Sequence, residues 1–284
     1  MIKRFIDIIL STTAILILSP LLIPIMVILK LTGEGYIFYK QERIRQNGKP
    51  FNLEVHLKRL FSASTLLDLQ ISASKKDFRN KIELLIKENK IIKGGNLKII
   101  VFREKGGKFL PENNSTSFLI MSKKSETNLF KLNKNGLALG LFRDQLKPKG
   151  ALSNYKTISA LQSVMCSLDA RKKAKEDCLM FNSENNIIES SNSNVFYVKN
   201  KVIYTPKLLE GCVDGTMRNY ILNLRNLDFN IIETEVKTED ILNADEVFLS
   251  NAISGIRWVS SIEDSKFPQQ NVSQLLIEKI NQLV

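Results

Sequence analysis

The sequence predicts an α+β fold preceded by a hydrophobic membrane helix, and two observations carry that prediction. Residues 8–29 are uncharged and apolar over a length that reaches across a bilayer core. The rest of the chain mixes helical patterns with short apolar runs bounded by Gly, Pro or Asn, which are typical of strands. With 284 residues, of which 44% are hydrophobic, the chain can bury a substantial core as one large or two modest domains.

The N-terminal hydrophobic segment is interrupted by Pro20 and Pro24. A secretory signal peptide would need a shorter apolar run and a small-residue cleavage site, and neither is present. A straight spanning helix is the second alternative, but the two prolines remove backbone donors and would kink it. The pattern therefore favours a bent helix that contacts the membrane through residues 5–31, and leaves open whether it re-enters or spans.

Charge and cysteine content narrow the function classes. The net charge is +12, but it forms no Arg-rich or aromatic-interleaved run of the kind that binds a phosphate backbone, so we expect no nucleic-acid partner. The three cysteines are Cys166, Cys178 and Cys212, an odd number without CxxC spacing. They argue against a disulfide framework and against a metal site, and fit a reducing cytoplasm.

Two amphipathic helices and three strands are predicted after the membrane segment. The first helix covers residues 55–72, and the second begins after Ser74, a natural N-cap with Asp77 at the third helical position. Strands are predicted at 97–103, 117–121 and 137–143. The polar residues 122–128 are the best candidate for an inter-domain linker.

The C-terminal half continues the mixture of helix and strand, without an internal repeat. Helices are predicted at 156–176, 215–227 and 271–284, and strands at 178–182, 187–190, 194–198, 202–205, 230–236 and 246–252.

Polar turns follow several of these elements. Lys156 stands at the start of a predicted helix after "LSNY", and Glu189 ends an apolar strand where its carboxylate would be half buried. Taken singly, these are an ordinary surface lysine and an edge-strand glutamate. Together with "ESSNSNVF", "GCVDGTMR" and "LSNAISGIR" they form a series of turns at strand and helix ends, where backbone N–H groups can gather a phosphate.

Residues 49–284 resemble the class IV fold of pyridoxal-phosphate enzymes, which includes branched-chain and D-amino-acid aminotransferases and aminodeoxychorismate lyase. The resemblance lies in "GKPFNLEVHLKRLFSASTLL", "VFREKGGKFLP", "YKTISAL", "ESSNSNVFYV", "VIYTP", "GTMR" and "SNA", in the family's order. It implies a small α+β domain over 49–123, incomplete at its N-terminus, and a larger mixed α/β cofactor-binding domain over 124–284. Members of this family are usually homodimers, which we expect here.

The resemblance also implies a pyridoxal 5'-phosphate site with two central residues. Lys156 would bond to the cofactor's aldehyde carbon and then, released by the amino-acid substrate, move the proton of the substrate's α carbon. Glu189 would pair with the pyridine nitrogen and keep it protonated.

The phosphate end of the cofactor is assigned by the same resemblance. Arg59 would clamp the phosphate with its fork of donors, helped by the backbone of Thr216 and Met217 and by Asn251. Arg103 would either bind a substrate carboxylate or merely close a strand.

The motifs favour one branch of the family without excluding the other. "GTMR" and "SNA" are more similar to aminodeoxychorismate lyase, which releases pyruvate and 4-aminobenzoate for folate synthesis, than to branched-chain aminotransferases. The substrate is therefore expected to be aminodeoxychorismate or another amino-acid-like molecule, and lyase against transaminase stays open.

The N-terminus resembles a different family, the bacterial sugar transferases of surface-polysaccharide initiation. Residues 2–51 match it, including the tail "GYIFYKQERIRQNGKPF". That family's catalytic Asp-Glu pair lies downstream of the matching part, so residues 1–48 imply an anchor without chemistry. We expect a cytoplasmic enzyme attached to the cytoplasmic face of the inner membrane; the alternative is a sugar-transferase-related or catalytically impaired fusion protein.

Overall fold

The computed structural model describes residues 41–44, 50–107, 109–225 and 229–282. The predicted membrane segment through residues 5–31 lies outside these ranges. Within them, every helix is too short or too polar to cross a bilayer. All structural statements below concern the described residues.

A three-stranded antiparallel sheet with two helices forms the first part of the fold. Its strands run in the order β1-β2-β3. The elements are β1 (Gln41–Ile44), α1 (Leu53–Leu66), α2 (Lys75–Glu88), β2 (Gly95–Arg103) and β3 (Thr116–Lys124). The predicted capping of α2 is confirmed, because the Ser74 hydroxyl accepts a hydrogen bond from the Asp77 N–H and the Asp77 carboxylate accepts one from the Ser74 N–H.

The first strand, β1, falls within the part of the chain whose resemblance is to sugar transferases. It nevertheless pairs with β2 from Gln41–Lys98 to Ile44–Gly95, and the Ile44 side chain is fully buried. Ile44 belongs to one apolar core with the inner faces of both helices and of β2: Leu53, Leu57, Phe78, Ile82, Ile86, Ile91, Leu97, Ile99 and Val101. The small sheet therefore receives an edge strand from the residues preceding "GKPF".

A nine-stranded mixed sheet forms the larger part of the fold. Its strands are β4 (Leu137–Lys147), β5 (Asp177–Asn182), β6 (Ile187–Ser190), β7 (Asn194–Lys199), β8 (Val202–Pro206), β9 (Asn230–Thr234), β10 (Glu246–Asn251), β11 (Gly255–Ile262) and β12 (Ser265–Lys266). The order is β10-β11-β4-β5-β6-β7-β8-β9, and β12 pairs with β11. Because β10 also pairs with β7, the strands from β4 to β7 and β10 to β11 close into a barrel.

The barrel has an apolar interior and helices outside it. Leu139, Phe181, Val247 and Val259 are among the fully buried side chains of the interior. The helices are α3 (Leu161–Lys172), α4 (Thr216–Leu222), α5 (Thr238–Leu242) and α6 (Asn271–Asn281). A second core joins α4 and α6 to the outer side chains of the barrel, among them the stacked rings of Phe196 and Phe248.

The chain reaches Lys156 in an irregular segment, so the prediction that a helix begins there is wrong. A 3-10 turn over Ala151–Asn154 is followed by an extended Tyr155, and α3 begins only at Leu161. The Asn154 side chain holds this segment by donating to the carbonyls of Leu208 and Cys212, each at 2.8 Å. These long-range bonds keep the segment extended, whereas the sequence pattern showed only its local periodicity.

Candidate active site

A row of three polar residues crosses one end of the barrel. In the strand register, Glu189 of β6 lies opposite Asn194 of β7, and Asn194 lies opposite Ser250 of β10. All three are buried. Because side chains at paired positions of neighbouring strands lie close together, the register concentrates polar groups at this end.

The loop 212–215, which leads into α4, is tied to this row. The Val213 N–H donates to Glu189 Oε2 at 2.9 Å, and the Val213 carbonyl accepts from Asn194 Nδ2 at 2.8 Å. Gly215 lies so close that a Cβ on it would stand 1.9 Å from Asn194 Oδ1. A side chain at this position would therefore displace either the loop or the Asn194 side chain.

Glu189 is the central carboxylate of the site. Its side chain is 9% exposed, and Glu189 Oε1 accepts a hydrogen bond from Lys147 Nζ at 2.6 Å. Val213 and Lys147 together use two of the roughly four lone-pair positions that a carboxylate offers. Capacity remains for a further N–H donor, such as a protonated ring nitrogen.

Lys156 shares its surroundings with charged residues from three other parts of the chain. Burial by the surrounding protein lowers the pKa of Lys156; the positive charge of Arg59 lowers it further, Glu189 opposes the shift, and Lys147 adds to it. The Lys156 residue still has an open path to solvent. Protein atoms thus crowd the amine although the residue keeps contact with solvent, and a larger fraction of the amine is neutral than in an ordinary lysine.

Arg59 projects from α1 of the small sheet towards the loop 212–215. Its Nη1 donates to the Asp214 carbonyl oxygen at 2.8 Å. Two residues further on, Thr216 and Met217 open α4, and both are buried. The first N–H groups of a helix have no acceptor within the helix, so the guanidinium and these amides can serve the same anion.

Asn251 has a different set of contacts from the one predicted. Its Oδ1 accepts from the N–H groups of Ile253 and Ser254, at 2.9 and 2.8 Å. Its Nδ2 donates to Ser193 Oγ at 2.8 Å. Asn251 therefore fixes the turn after β10 and holds it against the loop between β6 and β7, and a direct contact with a phosphate stays a prediction.

Arg103 lies at the end of β2 and has no part in these contacts. Its guanidinium donates to the carbonyls of Leu67 and Asp68, at 2.9 and 3.4 Å, and to the Asn114 side chain. It thus binds the carbonyls of the two residues that directly follow α1. A role in substrate binding stays a prediction that these contacts do not support.

The donor set fits pyridoxal phosphate. Glu189 can accept from the ring nitrogen, Lys156 supplies a primary amine for the aldehyde, and Arg59 with the first turn of α4 provides donors for a phosphate.

Lys147 is the site residue that sequence reasoning missed. It is one of 41 lysines and arginines and belongs to no motif. Only the strand register, which brings the end of β4 beside β5 and β6, reveals its contact with Glu189.

Comparisons with known proteins agree with this fold. A structure of a putative 4-amino-4-deoxychorismate lyase from Legionella pneumophila superposes with a TM-score of 0.78 at 23% identity, over 86% of this chain and 90% of that one. The Escherichia coli branched-chain amino acid aminotransferase superposes with a TM-score of 0.79 at 19% identity, over 87% and 84%. Both structures show that the fold is that of the class IV enzymes.

The sequence comparison identifies the family. The profile of the amino-transferase class IV family matches residues 42–262, so the chain belongs to that family. Its members use pyridoxal phosphate, and this chain is a pyridoxal-phosphate enzyme of the aminotransferase or lyase type. Aminodeoxychorismate lyase of Bacillus subtilis is 25% identical over 229 residues, which are 79% of this chain and 77% of that protein.

A second family profile, bacterial sugar transferase, matches residues 1–72. The two profiles overlap over residues 42–72, which include β1 and α1. Both resemblances seen in the sequence are thus found again, and they share this part of the chain.

The three cysteine thiols are the remaining titratable groups singled out in the sequence, and one of them, Cys212, begins the loop 212–215. The three thiols are buried and free, and burial raises the pKa of Cys178 to about 11 and that of Cys212 to about 12. Burial likewise raises the pKa of Cys166. These thiols stay protonated and unreactive at neutral pH. The described residues contain no group of three or more side chains that could hold a metal ion.

Proposed function

We propose that the chain is an aminodeoxychorismate-lyase-like enzyme that acts through Lys156. The observation that carries the proposal is the convergence of the Lys156 amine with the buried Glu189 carboxylate and with Arg59, from three separate parts of the chain. Pyridoxal phosphate, when bound, supplies an aldehyde that bonds to the substrate's amine and a ring that accepts electrons from the substrate's α carbon.

The chain's own residues would bind that cofactor and move protons. Glu189, held by Val213 and Lys147, accepts the ring N–H, while Arg59 and the amides of Thr216 and Met217 bind the phosphate. Asn251 orders the adjoining turn. The Lys156 amine takes up or returns a proton at the substrate's α carbon, and its lowered pKa keeps a larger fraction of it neutral than for an ordinary lysine.

The preference for a lyase is supported by two findings. The motifs "GTMR" at residues 215–218 and "SNA" at residues 250–252, which are more similar to the lyase, lie at the loops that contact Asn194 and Ser193. The lyases from Bacillus subtilis and Legionella pneumophila are among the similar proteins. Purified protein supplied with pyridoxal phosphate should release 4-aminobenzoate and pyruvate from aminodeoxychorismate, and the Lys156→Ala variant should release neither.

Amino transfer is the second candidate. The Escherichia coli branched-chain aminotransferase shares the fold, and D-alanine aminotransferase of Bacillus licheniformis is 26% identical over 81% of this chain. Amino transfer from branched-chain L-amino acids and from D-alanine to 2-oxoglutarate is measured with the same preparation. Keto-acid-dependent amino transfer without 4-aminobenzoate release would overturn the lyase assignment, while absence of both reactions from a correctly folded, colourless protein would refute the enzyme proposal.

We also propose that the enzyme is a homodimer. The surface of the described chain carries Phe109, Leu110 and Leu209, which are 91%, 84% and 80% exposed. Single exposed apolar side chains are ordinary on protein surfaces, so the proposal rests on the resemblance to class IV enzymes, which are usually homodimers, and these residues are candidates for the covered surface. Light scattering coupled to gel filtration should give twice the 32.3 kDa chain mass, whereas a monomer that retains full activity would contradict this.

We propose further that residues 1–38 attach the enzyme to the cytoplasmic face of the inner membrane. The uncharged run 8–29 and the sugar-transferase match support an anchor. The test is a deletion of residues 1–38, which leaves β1 in place. The full chain should sediment with membranes and the shortened chain should stay in the high-speed supernatant; sedimentation of both to the same extent would exclude this anchor.

A further inference from the structure

We propose that Lys147 is a positioning residue of the active site, which orients Glu189 and sets the charge around Lys156. The inference rests on the proposed roles of Glu189 and Lys156, and adds a residue to which no motif assigns a role. Its basis is the geometry at the end of β4.

A bulge in β4 delivers Lys147 to the site. Phe142 pairs with Met180 of β5, and the next pairing is that of Lys147 with Asn182, so five steps along β4 span two steps along β5. Such irregularities bend a strand and turn its last side chains in a new direction. Met180 itself pairs with Glu189 of β6, which places Lys147 and the carboxylate around the same stretch of β5.

The contact between Lys147 and Glu189 is short and buried. Nζ lies 2.6 Å from Glu189 Oε1, and the two side chains are 13% and 9% exposed. Nζ also donates to the Ser153 carbonyl oxygen at 3.0 Å. Two acceptors on different segments fix the ammonium group, and the Val213 N–H fixes the other carboxylate oxygen. Glu189 is thereby held in one orientation by charge-assisted hydrogen bonds.

The same ammonium group affects Lys156. Lys147 is anchored at Ser153, three residues before Lys156, and its charge belongs with Arg59 and Glu189 to the groups that act on the Lys156 amine. Lys147 repels a proton on that amine directly, and it also partly neutralises Glu189, which attracts one. Both effects favour the neutral form of Lys156, and both disappear when the charge at Lys147 is removed.

The test is a comparison of Lys156 reactivity in single variants of the cofactor-free full chain. The pH profile of Lys156 acetylation by acetic anhydride is read by peptide mass spectrometry. Lys147→Met should move the midpoint upward by about one pH unit, the effect of one nearby charge at a partly buried group. Lys147→Arg, which keeps the charge, should move it by less than about 0.3 unit.

Lys149→Met is the matched control. Lys149 lies two residues further on and also loses ion pairs when replaced, those to Glu184 at 2.6 Å and Glu210 at 3.0 Å, but it does not belong to the site. It should leave the Lys156 midpoint unchanged. Should Lys147→Met fail to fold, Lys147→Gln retains a donor without the charge and is measured instead.

The result separates this inference from the proposed function. An unchanged midpoint in the uncharged Lys147 variant, or an equal shift in Lys149→Met, would overturn the positioning role. In the cofactor-loaded protein the pH midpoint of the bound cofactor's visible absorption should shift upward in the same variant. A wild-type chain that binds no pyridoxal phosphate would refute the proposed function, while the acetylation profile would still decide the role of Lys147.

Discussion

Replacing Gly215 by alanine should damage cofactor binding through a single steric contact. Gly215 has φ −71° and ψ 134°, a conformation that alanine adopts without strain. The added Cβ would stand 1.9 Å from Asn194 Oδ1, and one of the two must move by about 1.5 Å to restore a normal contact. Asn194 is buried and its amide is bonded to the Val213 carbonyl, so the loop 212–215 has to shift.

The structure sets the size of the effect. Overpacking of this kind costs about 1–3 kcal/mol of stability, which lowers the melting temperature of a unit of this size by about 3–10 °C. A shifted loop also weakens the hydrogen bond from the Val213 N–H to Glu189, worth about 1.5–3 kcal/mol with a charged acceptor. Absorbance titration with pyridoxal phosphate should therefore show binding weakened by roughly 10- to 100-fold.

A control and a double-mutant cycle test the cause of this loss. Gly140→Ala puts a Cβ 2.7 Å from Cys178 Sγ, away from the loop, and should lower the melting temperature without weakening cofactor binding. In an Asn194→Ala background the clashing oxygen is gone, so Gly215→Ala should cost little more. An equal loss of affinity from Gly215→Ala in both backgrounds would refute the steric explanation.

Three further predictions concern stability. Burial alone would raise the pKa of Glu210, but hydrogen bonds from Asn186, Lys149 and Asn182 together hold it below its ordinary value of 4.5. Glu210→Gln should therefore lower the free energy of unfolding in urea at pH 7, and the difference from wild type should shrink as the pH falls below about 4.5; a difference independent of pH would contradict this. Ser74→Ala removes the N-cap of α2 and should lower the free energy of unfolding by about 1 kcal/mol in the same assay. Ser74→Asp keeps a capping oxygen at this exposed position and should lower it by less than half as much. Arg103→Ala should lower the melting temperature by a few degrees, about 2–6 °C, while leaving the KM for substrate unchanged, and a raised KM with unaltered stability would restore the substrate role.

Local sequence patterns predicted most of the helices and strands, because the capping residues and apolar runs that define them lie within the elements themselves. Ser74 with Asp77 fixed the start of α2, and "IIES" gave β6 at 187–190 to the residue. β11 was missed since its residues mix apolar with polar and charged side chains, as in Arg257 and Ser260, and the strand is defined by pairing with β10 and β4. The start of α3 was misplaced because the bonds that hold Asn154 come from residues more than fifty positions away.

The residues of the candidate site also divide into those that the local sequence indicates and those that only the fold reveals. Lys156, Glu189 and Arg59 were predicted because they lie in motifs that resemble those of a family, and in the structure the charges of Glu189 and Arg59 both act on the Lys156 amine. Lys147 lies in no motif of this kind, and its contact with Glu189 depends on a bulge in β4 that no periodicity of the sequence indicates. Asn251 and Arg103 were identified as polar residues at the ends of strands, but only the fold shows which carbonyls and amides each of them meets.

The strand β1 has a consequence for how this enzyme can be altered. It covers the hydrogen-bonding edge of β2 from Gly95 to Lys98, beside a core that includes Ile44 and Leu97. Cutting the chain at the shared string "GKPF" would uncover that edge, and uncovered edges recruit strands from other molecules. The same cut would also remove the buried Ile44 from the core, so the shortened chain should both lose stability and expose the β2 edge to strands of other molecules.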